Sequence, residues 1–147
     1  MIADLTSLFE KHLEQLVEEI NAYKNEENLW LVKGDIKNSP GNLTLHICGN
    51  LNHYIGATLM HTDYERKRDN EFSDKGVSRE ELIKKINDTK SMLNDFFTKT
   101  DVEILFTVYP KDYFGEHKDI GYVTSILIAH LAYHIGQINY HRRLLDA

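Results

Sequence analysis

The segment His130-Leu131-Ala132-Tyr133-His134 sets two imidazoles four residues apart. On a helix of ~3.6 residues per turn the two rings point the same way, about 40° apart, so both can offer a nitrogen to one cation. Spacing alone does not make a metal site, because histidine pairs on helical faces are often surface or hydrogen-bonded groups. The placement of this pair argues further. Val123, Leu127, Leu131, Ile135 and Ile138 mark an apolar face, and His130, His134, Gln137 and His141 run along its border. A polar stripe that enters a core needs partners. His46, Asn50 and His53 form a second stripe of the same period, so a third imidazole can arrive from across a bundle. Three nitrogen ligands with open positions suit a reactive metal site, whereas a closed set of four is structural.

Four amphipathic segments are available to position these groups. Leu5, Leu8, Phe9, Leu13, Leu16, Val17 and Ile20 recur at three- and four-residue steps, which predicts a first helix. Ser39-Pro40 is a helix-start signature, and a second helix is expected from about Pro40 to Arg66, with Leu43, Ile47, Leu51, Tyr54, Ile55 and Leu59 inward. Ser78-Arg79-Glu80-Glu81 fits a capping box, and Leu82, Ile86, Thr89, Leu93 and Phe96 continue a third helix behind it. The fourth, from about Ile120 to Leu145, carries the histidine pair. Between the third and fourth, Val102, Ile104, Phe106 and Val108 alternate, so Asp101 to Asp119 is expected to hold a short extended piece or hairpin. Four helices with one apolar face each are satisfied together by an all-α four-helix bundle.

The other reactive side chains have bland readings of equal weight or better. His53 lies about 20° off the stripe of His46 and serves as a fourth ligand, a base behind the ligands or a buried hydrogen bonder, the last being favoured. His141 reads as a capping or surface group. Cys48 sits about 200° around the helix from His46, so both cannot face one ion, and it reads as a small packing residue. Arg66, Arg68 and Glu71 suit either an anchor for an anionic substrate or thiol, or ion pairs between loop and helix. Trp30, Tyr54, Tyr113, Tyr133 and Tyr140 suit a cavity wall or a core-to-rim placement. No nucleophile with a recognisable base motif and no glycine-rich phosphate loop occurs.

The segment His130-Leu-Ala-Tyr-His134-Ile-Gly-Gln137 resembles the His-x-x-x-His-x-Gly-Gln signature of the DinB/YfiT-like superfamily. Asn42-Leu-Thr-Leu-His46-Ile-Cys-Gly-Asn50 is similar to the histidine-bearing second helix of that group, and the order of four helices and the Arg68-Asp-Asn-Glu71-Phe72 stretch agree. The resemblance implies a four-helix bundle with a long crossover between helices 2 and 3, often dimeric. It also implies a divalent metal ion on His46, His130 and His134. Members with known activity include thiol-dependent S-transferases and isomerases that use low-molecular-weight thiols. The expected function is accordingly a metal-dependent enzyme, an S-transferase or a hydrolase, acting on a small-molecule substrate. The alternative is a non-catalytic bundle that the metal stabilises for ligand binding. Zinc, nickel and iron all suit three imidazoles. A crossover over Lys67 to Val77, extended at ~3.3 Å per residue, spans ~36 Å, just the length of a 24-residue helix, so parallel helices 2 and 3 are reachable provided the segment is nearly straight or the helices fray.

Composition bounds the rest. With 147 residues, 41% hydrophobic and 27% charged, the chain is expected to form one unit over residues 1–147. A formal charge of -6 opposes contact with nucleic-acid phosphates. A single cysteine makes no intrachain disulfide, and the acidic amphipathic start does not read as a signal peptide, so a cytoplasmic location is expected. No stretch approaches the ~18 apolar residues of a membrane span.

Overall fold

The computed structural model describes all residues from Met1 to Ala147. Helix α1, Ile2–Ala22, buries Phe9, Leu13, Leu16 and Ile20, the inner part of the stripe read from the sequence. A short 3-10 turn, Glu26–Trp30, follows under an Asn25 cap. Helix α2, Pro40–Leu51, starts where Ser39 accepts a hydrogen bond from the Asn42 N–H and Pro40 takes the position that needs no donor. Helix α3, Arg68–Ser73, is short. Helix α4, Arg79–Thr98, starts at Ser78, whose hydroxyl accepts from the Glu81 N–H, and it buries Leu82, Ile86, Thr89, Leu93 and Phe96 as expected. Helix α5, Ile120–Leu145, is capped by the Asp119 carboxylate.

The architecture is an all-α bundle of α1, α2, α4 and α5, with α3 laid against α2. Helices α1 and α2 each pack on both α4 and α5, so they occupy opposite corners. Side-chain pairs give the directions. Asn42 meets Asp74 just before α4, Asn52 meets Thr89, and Gly56 faces Met92, so α2 and α4 run parallel and the chain must cross the length of the bundle between them. Phe9 stacks on Phe97 while Arg79 bonds to the Tyr23 carbonyl, so α1 and α4 are antiparallel.

Three expectations need correction. The second helix does not run to Arg66. It passes from α2 into a π-helical turn, Asn52–Ala57, and ends by Leu59, and His61 then takes a left-handed φ of 57° that reverses the chain. The crossover is therefore longer than Lys67 to Val77 and need not be straight, so it has slack to form α3. The alternation over Val102 to Val108 is not a strand. It forms a 3-10 turn, Val102–Phe106, in which Leu105 is buried while Phe106 is 69% and Val108 58% exposed. Only one antiparallel bridge, Val108 with Asp119, remains of the hairpin, and it positions the start of α5.

Helix α2 is buried on nearly every side, and only Leu45 among its residues is half-buried. A helix covered all round must find partners for each polar side chain it carries. Asn42 donates to the Glu71 and Asp74 carbonyls at 2.9 and 2.8 Å, which ties α3 to α2. Gly41 leaves room for the Trp30 ring and Gly49 for the Glu71 carboxylate, since a Cβ at either position would collide with them. No helix is long and apolar enough to cross a membrane.

Candidate metal centre

Helix α5 carries His130 and His134 one turn apart, and their Nε2 atoms lie 3.0 Å from each other. Antiparallel α2 brings His46 opposite, with its Nε2 3.0 Å from the Nε2 of His130. One ligand atom from each of the three rings falls within 4.8 Å of the others, so the group could hold a metal ion. These are the three histidines expected from the sequence. Ion–nitrogen bonds of ~2.0–2.1 Å at angles from square to tetrahedral separate neighbouring nitrogens by about 2.9–3.4 Å, so 3.0 Å falls inside the range.

The outer ring nitrogens decide what the inner ones can do. The Glu71 carboxylate accepts from His46 Nδ1 at 3.0 Å, and the Gln137 amide oxygen accepts from His134 Nδ1 at 2.7 Å. In the neutral form of each ring the proton is therefore on Nδ1, and both Nε2 atoms turn bare lone pairs inward. His130 can place at most one N–H between them. Two facing pairs cannot share one hydrogen, so lone-pair repulsion is left over unless a cation stands at the centre. The donor set fits a divalent metal on chemical grounds.

Burial disfavours the charged form of the two rings on α5. His130 is pushed down to about 4, first by burial and then by the neighbouring His134, His46 and Arg66 charges, with Glu71 opposing. Burial also lowers His134, against the hydrogen bond to Gln137. At neutral pH both are ready to coordinate. Glu71 is raised by burial, yet the hydrogen bonds from His46 and Arg66 outweigh this and hold its carboxyl below the usual range. Arg66 grips it with Nε at 2.9 Å from one oxygen and a terminal nitrogen at 2.9 Å from the other. A doubly held carboxylate gives the His46 ring one orientation.

The remaining candidates lie elsewhere or do other work. His53 sits against the Tyr54 and Tyr113 rings, 4.9 and 5.6 Å between centroids, away from the converging nitrogens. His141 is a correction: it is buried, accepting from the Tyr23 hydroxyl at 2.8 Å and donating to the Leu31 carbonyl at 2.8 Å, because the 3-10 turn and its exit fold over it. Cys48 is buried as a packing residue, and burial pushes its thiol up to about 11. Arg66 and Glu71 form an ion pair, but one that orients a histidine. Sequence periodicity has no signal for this, since His46 and Glu71 are 25 residues apart on separate helices.

No curated protein and no solved structure matches the chain. A family described as "Protein of unknown function (DUF1572)" matches residues 2–147. That match covers both histidine-bearing helices and everything between them, and the chain belongs to the DUF1572 family.

Proposed function

We propose that the protein is a metal-dependent enzyme of DinB/YfiT-like type, with a divalent ion on His46, His130 and His134. The observation that carries this reading is the convergence of three Nε2 atoms whose opposite ring nitrogens are committed to Glu71 and Gln137. When bound, such an ion supplies Lewis acidity that brings the proton loss of a water or thiol toward ~pH 7. The chain's own part is to hold His130 and His134 neutral by burial and to orient His46 and His134 through Glu71 and Gln137. Thiol-dependent S-transfer and hydrolysis both use that chemistry, on a small-molecule substrate.

A second reading has its own observation. Glu71, the carboxylate beside the triad, is committed to His46 and Arg66 and is not free to move a proton. A metal-stabilised binding protein needs no such group. Titrating zinc, nickel or iron(II) while following melting temperature and turnover separately decides between the two. Turnover across thiol-acceptor or amide and ester panels that rises with metal occupancy supports the enzyme. A melting-temperature gain at full occupancy with no turnover supports the binding protein.

A further inference from the structure

Beside the triad lies a cavity of about 220 Å³ with His46 and His130 in its wall. Two polar groups of that wall lack the hydrogen-bond or ionic partner their chemistry calls for. Asn50, one turn after His46, is 7% exposed, and its Oδ1 accepts no hydrogen bond. A buried acceptor left unpaired is costly, so its retention points to a donor that arrives from outside the chain. Arg68 also lines the cavity, with its guanidinium 5.3 Å from the centroid of the Phe72 ring and no carboxylate in reach. Arg66 is already engaged by Glu71, so Arg68 is the free cation. No aspartate or glutamate lines the space, while Tyr54, Phe114 and Leu127 make its remaining wall largely apolar.

We propose that this cavity is the substrate subsite, and that it takes a small carboxylate with an apolar body and a hydroxyl or amino hydrogen-bond donor. Arg68 receives the carboxylate, Asn50 Oδ1 accepts from the donor, and the aromatic and aliphatic wall covers the body. A guanidinium presents paired N–H groups that match a carboxylate's two oxygens. A donor-bearing ligand is preferred over its hydrogen-substituted analogue because the latter leaves Asn50 unpaired. The place of the subsite rests on the metal reading, since the cavity borders two of the three histidines. Its selectivity comes from Asn50 and Arg68 and does not require the ion.

Calorimetric titration of the zinc-loaded and zinc-free protein with mandelate, phenylacetate and mandelamide tests this. Phenylacetate lacks the hydroxyl, and mandelamide lacks the charge. Mandelate should bind tightest in both forms, and more tightly with zinc. Arg68→Gln should erase the preference over mandelamide, a loss of roughly tenfold or more, and leave the preference over phenylacetate. Asn50→Leu should erase the preference over phenylacetate, roughly threefold to tenfold, while melting no lower than the wild type because it removes an unpaired buried acceptor. Equal binding of the three probes, or preferences unchanged in the variants, overturns the proposal. An Asn50→Leu protein that melts lower and loses all three probes alike assigns Asn50 a structural role and likewise overturns it. Stoichiometric zinc without these preferences leaves the metal reading standing, whereas preferences without zinc binding separate the subsite from it.

Discussion

Glu71 reaches His46 through the space that Gly49 leaves on α2, and its carboxylate accepts the Nδ1 proton of that ring at 3.0 Å. A side chain at Gly49 would stand where the carboxylate stands. Gly49→Ala and Glu71→Gln should therefore both release His46 from its fixed orientation and weaken metal binding by about 10–100-fold. Isothermal titration with zinc measures the loss, and circular dichroism should show helical content near normal. An unchanged affinity in both variants would detach Glu71 from the site.

Removing a ligand should cost more than removing its partner. His130→Ala or His134→Ala should abolish stoichiometric metal, read by elemental analysis of protein purified without an affinity tag. At a hundredfold excess over the dissociation constant the ion adds about 2.7 kcal/mol to stability, and each variant should lose that increment. His46→Ala should weaken binding more than His53→Ala, because His53 packs among tyrosines instead of facing the triad. The reverse order would make His53 the third ligand.

The metal-free protein should be acid-sensitive in a window set by His130. Its folded pKa is about 4, below the ~6.5 of an unfolded histidine. Between these values the unfolded chain binds more protons, so stability falls as pH drops from ~6.5 to 4. Denaturant midpoints at pH 7, 6, 5 and 4 should show this decline, and His130→Leu should flatten part of it. Proton competition for the metal should also set in lower than free imidazole would dictate, because burial holds down both His130 and His134. A midpoint that does not move between pH 7 and 5 would contradict the burial of the ring.

A homodimer through the outer face of α5 is a further expectation. Tyr122, Tyr133, Tyr140 and Leu144 are exposed and fall on one side of that helix, a row of large apolar side chains for a second copy to cover. Light scattering across micromolar concentrations should give twice the mass of one chain, and Tyr133→Glu with Tyr140→Glu should halve it. A mass of one chain in the unaltered protein removes the dimer and leaves the metal centre untouched.

Helix existence and the histidine pair were legible in the residues because both depend on short-range geometry. The bounds of α5, the Ser39-Pro40 start of α2 and the Ser78 cap of α4 are local devices, and they stand where the sequence puts them. His130 and His134 share a helical face for the same reason. Periodicity does not report where a helix stops when a π-helical turn and a left-handed His61 intervene, so α2 ends before the expected Arg66. Nor does it separate a strand from a 3-10 turn over Val102 to Phe106, where Leu105 alone goes inward. The choice of His46 over His53 and the use of Glu71 and Arg66 to fix a tautomer were decided by packing. These contacts join side chains far apart in the chain, and only the antiparallel meeting of α2 with α5 and the laying of α3 on α2 bring them within hydrogen-bond range.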